Sequence, residues 1–230
     1  MRFWKGLLSV IFTFLFLLVL SSGSLAGRTC FVYLTWPSLG KDLVEREVIT
    51  NGLTAEAEAE RRGITFLWIK NLKELRSTSQ YCSTAYLFLA GHSDEDLIGS
   101  FPPSELRQTL VYLRKKGVKI PLLVFDTCYW GKVYKLRYFS FPDTVVVGSP
   151  VEELQYGLKP LYSNLSYLSK KGIALVKELA NRINRLYIFF YDTRGKQLAD
   201  YGFRCQAVRI YYEGVVYSYS ACWDGNRRER

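Results

Sequence analysis

Apolar runs alternate with amphipathic stretches along most of this chain. Thr29 to Trp36, Ile64 to Ile69, Thr84 to Ala90, Lys119 to Phe125, Thr144 to Val147 and Leu186 to Tyr191 read as buried strands. Short apolar runs rich in β-branched and aromatic residues suit a sheet covered on both faces. Between them lie helical patterns. Lys41 to Arg62 carries strong helix formers, most plainly Ala55-Glu56-Ala57-Glu58-Ala59-Glu60, and Gly63 is suited to end it. Pro102-Pro103-Ser104-Glu105 reads as a helix start. That helix runs through Leu106, Leu110 and Leu113 and stops at Gly117. Leu165 to Arg185 places Leu168, Ile173, Leu175, Val176, Leu179 and Ile183 at helical spacing.

Strands alternating with helices predict an α/β domain with a mainly parallel six-stranded sheet flanked by helices. The end of the chain differs. Arg204 to Tyr212 and Val215 to Cys222 are β-rich runs joined by Glu213-Gly214, which predicts a C-terminal β-hairpin over about residues 203–223. Pairing Tyr212 with Val215 at the turn places Cys205 opposite Cys222, within reach of a disulfide. The alternative there is two buried thiols.

The first 26 residues stand apart from the rest. Arg2 and Lys5 precede an apolar run from Leu7 to Leu20, and small residues follow at Ser24 and Ala26. This is the pattern of a secretory signal peptide cleaved after Ala26, with an uncleaved membrane anchor as the alternative. Residues 27–230 then form one domain, and about 200 residues suffice for a single core. Export predicts a secreted, periplasmic or cell-envelope location. Membrane association is expected only if the leader is retained.

Removing Arg2 and Lys5 lowers the formal charge from +10 to +8. The basic residues are dispersed, apart from Arg227, Arg228 and Arg230, so no nucleic-acid partner is expected. An oxidising compartment permits disulfides among the five cysteines. Cys30 begins the first strand and Cys82 precedes the third. If those strands are neighbours, the two cysteines share the amino edge of the sheet. With Cys30–Cys82 and Cys205–Cys222 bridged, Cys128 is left as a free thiol.

Two apolar runs stop at reactive side chains. One is Tyr86-Leu87-Phe88-Leu89-Ala90-Gly91-His92-Ser93, which holds the chain's single histidine. The other is Pro121-Leu122-Leu123-Val124-Phe125-Asp126-Thr127-Cys128. Parallel strands joined by one helix end at the same sheet edge, so His92 and Cys128 should meet there. A thiol nucleophile needs such a proton-transfer partner.

The two blocks, in this order, resemble the signature of caspase-like cysteine peptidases, the group that includes caspases, metacaspases, clostripain-like enzymes, gingipains and legumains. The Asp126-Thr127-Cys128 form is nearest to metacaspases and clostripain-like enzymes, and strand order agrees over residues 29–191. The terminal hairpin lies outside the resemblance. The resemblance implies a three-layer caspase-like fold and a Cys128–His92 dyad. It implies an oxyanion site at the amides of Ser93 and Cys128, and Asp126 in a pocket for Arg or Lys before the scissile bond. Gly148-Ser149-Pro150, after the fifth strand, is expected to add Ser149 to the substrate wall.

Ser93 stands where the family usually carries glycine, and its side chain is expected to crowd the oxyanion site. No cofactor is expected. Asp94-Glu95-Asp96 reads as a solvated loop, with a calcium site, as in some relatives, as the alternative. Tyr129 and Trp130 suit either substrate contact or packing over the loop. The function predicted is an exported cysteine endopeptidase acting on protein or peptide substrates after basic residues. The competing readings are an inactive caspase-like domain that binds a partner at the cell envelope, and a thiol hydrolase or transpeptidase on the same fold.

Overall fold

The computed structural model describes residues 27–36, 43–150, 158–185 and 205–222. The segment read as a leader and the strand expected over 186–191 lie outside the described residues. Seven strands, β1 (Thr29–Thr35), β2 (Thr65–Ile69), β3 (Thr84–Ala90), β4 (Lys119–Asp126), β5 (Val145–Gly148), β6 (Cys205–Tyr212) and β7 (Val215–Cys222), form one sheet. The order is β2-β1-β3-β4-β5-β6-β7. The first five are parallel to their neighbours, whereas β6 runs antiparallel to β5 and β7 antiparallel to β6.

The sheet is covered on both faces, as its apolar strands require. Phe31, Tyr33, Phe88, Val124 and Val147 point to one side. There they pack with α1 (Leu43–Arg61), α5 (Lys159–Ser163) and α6, a helix over residues 172–185. Alternate residues, among them Val32, Leu34, Leu89, Leu123 and Phe125, point to the other side. They meet Leu75 of α2 (Leu72–Ser77), Leu106, Leu110 and Leu113 of α3 (Pro103–Lys115), and Leu136 and Phe139 of α4 (Val133–Phe139). The result is the three-layer α/β architecture expected.

The hairpin is a continuation of the sheet rather than an appendage. β6 pairs Val146 with Tyr211 and Val147 with Ile210, and gives Val208 and Ile210 to one core and Tyr211 to the other. Its turn is Glu213-Gly214, both at positive φ, and its register pairs Cys205 with Cys222. Towards the other side of the sheet, β1 lies between β2 and β3, and the buried Cys30 and Cys82 form a disulfide with Cα atoms 5.8 Å apart.

Two local departures have simple causes. The single helix expected over 165–185 is broken. Leu165–Ser169 is a 3₁₀ segment opened by Asn164, whose side chain accepts from Ser166 N–H. Lys170 is then extended, and Gly172 at φ +52° begins α6. The short helix α2 was not expected. Asn71 caps it by accepting from Glu74 N–H at 2.9 Å, while Glu74 Oε2 accepts from Lys70 N–H at 2.8 Å. This reciprocal pair resembles a capping box.

Candidate active site

The last paired residues of β3 and β4 are Ala90 and Asp126. His92 and Cys128 each stand two residues beyond them, so both lie at the carboxyl edge of adjacent parallel strands. Gly91 makes the exit from β3 at φ +144°, a conformation that favours glycine. A Cβ there would lie 2.8 Å from the Trp36 ring, and one on Gly99 would lie 2.5 Å from it. Trp36 thus seats the histidine loop from the end of β1, and its Nε1–H donates to the His92 carbonyl at 2.5 Å. His92 is exposed.

Cys128 is half-buried and is not part of a disulfide. The next residue, Tyr129, takes φ +64°, which turns the chain sharply after the thiol. Trp130 is buried against Phe125 and Phe139, and its Nε1–H donates to Asp94 O at 3.0 Å. Gly131 N–H donates to Ser149 O at 2.5 Å, and a Cβ on Gly131 would sit 2.1 Å from Gly148 O. The cysteine loop therefore lies directly on the end of β5. Ser149 is fully buried in this contact and Trp130 is a packing residue.

The acidic run is organised by the same loop. Asp94 Oδ1 accepts from the N–H groups of Asp96 and Leu97 at 2.7 and 2.6 Å, and these bonds hold its carboxyl below the usual range. Lys132 pairs with Glu95 at 2.6 Å, and Lys135 donates to the Glu95 carbonyl while lying 4.1 Å over the Trp130 ring. Among the described residues, no group of three or more His, Cys, Asp or Glu side chains converges to hold a metal ion.

Ser93 turns its hydroxyl onto the cysteine loop. It contacts the Thr127 hydroxyl and donates to Cys128 O at 2.6 Å. Asp126 is fully buried. Its Oδ2 accepts from the Tyr162 hydroxyl at 2.5 Å, and its Oδ1 has no hydrogen-bond partner. Burial pushes its carboxyl up to about 7; the Tyr162 bond opposes the rise and the charge of Glu47 adds to it.

No protein-family model and no curated protein matches the sequence. Solved structures do match the fold. A secreted C11 cysteine protease from Bacteroides thetaiotaomicron, iotapain, superposes with a TM-score of 0.53 at 11% identity, over 80% of this chain and 67% of that one. A secreted C11 cysteine protease from the same organism, in complex with an irreversible peptide inhibitor, gives 0.53 at 11% identity, over 80% and 66%. An inactive zymogen C11 protease from Parabacteroides distasonis is matched at 0.49 and 15% identity, over 80% and 62%.

The fold is that of the caspase-like cysteine proteases.

Within this caspase-like fold, the sequence pattern brings His92, Ser93, Asp126 and Cys128 to one sheet edge, with Ser149 buried beside them. Cys30, Cys205 and Cys222 lie on other parts of the sheet, and Cys82 lies just before β3. Pattern reading missed Trp36, Thr127 and Tyr162. The signal for Trp36 was faint: a large aromatic just past a strand facing two glycines. Tyr162 lies 36 residues from Asp126 on a five-residue helix, and no local pattern links them.

Proposed function

We propose that this chain is an exported cysteine endopeptidase that cleaves after Arg or Lys with Cys128 as nucleophile and His92 as its proton-transfer partner. The observation that carries the reading is the shared edge: a half-buried cysteine outside any disulfide and the chain's single histidine, each two residues past the last β3–β4 pair, on a caspase-like fold. His92 takes the Cys128 thiol proton, the sulfur attacks the scissile carbonyl carbon, and the oxyanion that forms is held by the Ser93 and Cys128 amides. The C–N bond breaks as His92 protonates the departing amine, leaving a thioester. Water, deprotonated by His92, then releases the acid and the thiol.

Asp126 gives the specificity. One oxygen is held by Tyr162 and the other is buried without a hydrogen-bond partner, so the pocket must open for a substrate guanidinium or ammonium to pair with it. The disulfide Cys30–Cys82 suits export. No cofactor takes part in this scheme. The test is turnover of an arginine peptide amide by the wild type and by Cys128→Ala and His92→Ala. Both variants should be inactive yet folded. Wild-type turnover in either would refute the dyad.

A further inference from the structure

We propose that Ser93 and Thr127 are positioning residues that clamp the histidine loop to the cysteine loop and thereby hold Cys128 in place for attack. The proposal rests on the reading of Cys128 as nucleophile and gives a role to two hydroxyls which that reading leaves idle. Ser93 has one hydroxyl proton, and it goes to Cys128 O at 2.6 Å. The Thr127 hydroxyl, in contact with Ser93 Oγ, must then donate to it. Cys128 O, at 3.5 Å from the Thr127 hydroxyl, is too far for a good bond. Thr127 is only 1% exposed, so its hydroxyl needs an internal partner, and that partner sits on the neighbouring loop.

The strand ladder alone holds the two loops weakly at this point. Past the pair Ala90 and Asp126, it contributes Gly91 N–H to Asp126 O at 3.4 Å. Cys128 also leads into Tyr129 at φ +64°, a conformation that persists only where its surroundings fix it. The Ser93 bond to Cys128 O fixes the peptide that joins these two residues. A glycine at position 93 would keep the amide and lose the clamp. The serine side chain is directed at the Thr127 hydroxyl and the Cys128 carbonyl.

The experiment uses the full chain with Ser93→Gly, Ser93→Ala, Ser93→Thr and Thr127→Val. One readout is the rate of Cys128 alkylation by iodoacetamide against pH, which needs no peptidase activity. The other is kcat and KM on an arginine peptide amide. Ser93→Gly, Ser93→Ala and Thr127→Val should each slow alkylation at neutral pH and lower kcat by on the order of tenfold, the scale of one lost hydrogen bond, with KM unchanged. Ser93→Thr, which retains the hydroxyl, should restore both. Ser93→Ala combined with Thr127→Val should be no worse than either alone, because one clamp is lost only once. A Ser93→Gly protein alkylated at the wild-type rate and pH profile overturns the proposal, as do losses that multiply in the double variant. If the wild type cleaves no basic peptide while the variants still slow alkylation, the peptidase reading fails and the clamp stands.

Discussion

Tyr162 donates its hydroxyl to Asp126 Oδ2 at 2.5 Å, and neither residue is exposed to solvent. The bond favours the ionised carboxylate, and burial opposes it more strongly, so Asp126 ends near 7 rather than in the usual carboxylate range. A cationic side chain entering beside Oδ1 would favour ionisation. Below about pH 7, binding of an arginine substrate must therefore also expel a proton. We expect kcat/KM for arginine peptides to rise with pH through about 7, and Asp126→Asn to abolish that limb. Loss of the charge should cost about 2–5 kcal/mol in transition-state binding of a basic substrate. A pH profile of both proteins with a peptide library checks this. A wild type that prefers acidic or apolar residues would refute the assignment of Asp126.

The same carboxyl makes stability depend on pH with a defined sign. Its folded pKa lies above its unfolded value, so the native state holds a proton that the unfolded chain has released. Stability from this group is present below the unfolded pKa of about 4 and declines as pH rises through about 7. Urea midpoints measured from pH 4 to 8 should fall more steeply for the wild type than for Asp126→Asn. Equal slopes would show that Asp126 is ionised in the native protein throughout.

Tyr162→Phe keeps the ring contacts with Tyr33 and Phe88 and deletes the donor to Asp126. A buried acceptor left unpaired costs about 1–3 kcal/mol. The variant should melt earlier. Its catalytic pH limb should move upward, because the bond that lowers the Asp126 pKa is gone. A limb unmoved in Tyr162→Phe would mean that another group titrates there.

The Cys30–Cys82 bridge closes a loop with a sequence separation of 52. The chain-entropy model gives about 4 kcal/mol for a loop of that size. The double variant Cys30→Ala/Cys82→Ala should lose stability on that scale while Cys128 alkylation keeps its pH profile, since the bridge lies at the other end of β1 and β3. Non-reducing peptide mapping should also recover Cys205 linked to Cys222, as the β6–β7 register suggests. Any linkage to Cys128 would contradict its assignment as nucleophile.

Much of the architecture was legible because its strands carry their own signal. Thr84–Ala90 matches its apolar run, and β4 extends the expected run by one residue to Asp126. The edge position of His92 and Cys128 follows from two such strands and one helix. The hairpin register could be read from the turn at Glu213-Gly214. What stayed hidden depends on contacts between distant segments. Nothing near Leu161 or Tyr162 announces Asp126, and nothing near Trp36 announces Gly99. The break before α6 was missed because the apolar spacing continues across Lys170 and Gly172, and only the backbone reveals the turn. The direction of the Ser93 hydroxyl, onto Cys128 O, could not be read because a rotamer, unlike a residue type, is a tertiary property.

The disulfide has a practical consequence for handling the protein. Cys30 and Cys82 are buried, whereas Cys128 is partly open to solvent, so these sulfurs differ in their access to reagents. A mild reductant should regenerate an oxidised Cys128 while leaving the buried bridge intact, and only reagent applied under unfolding conditions should reach both. A sulfenate formed at Cys128 would then be a reversible pause in thiol chemistry rather than the start of unfolding.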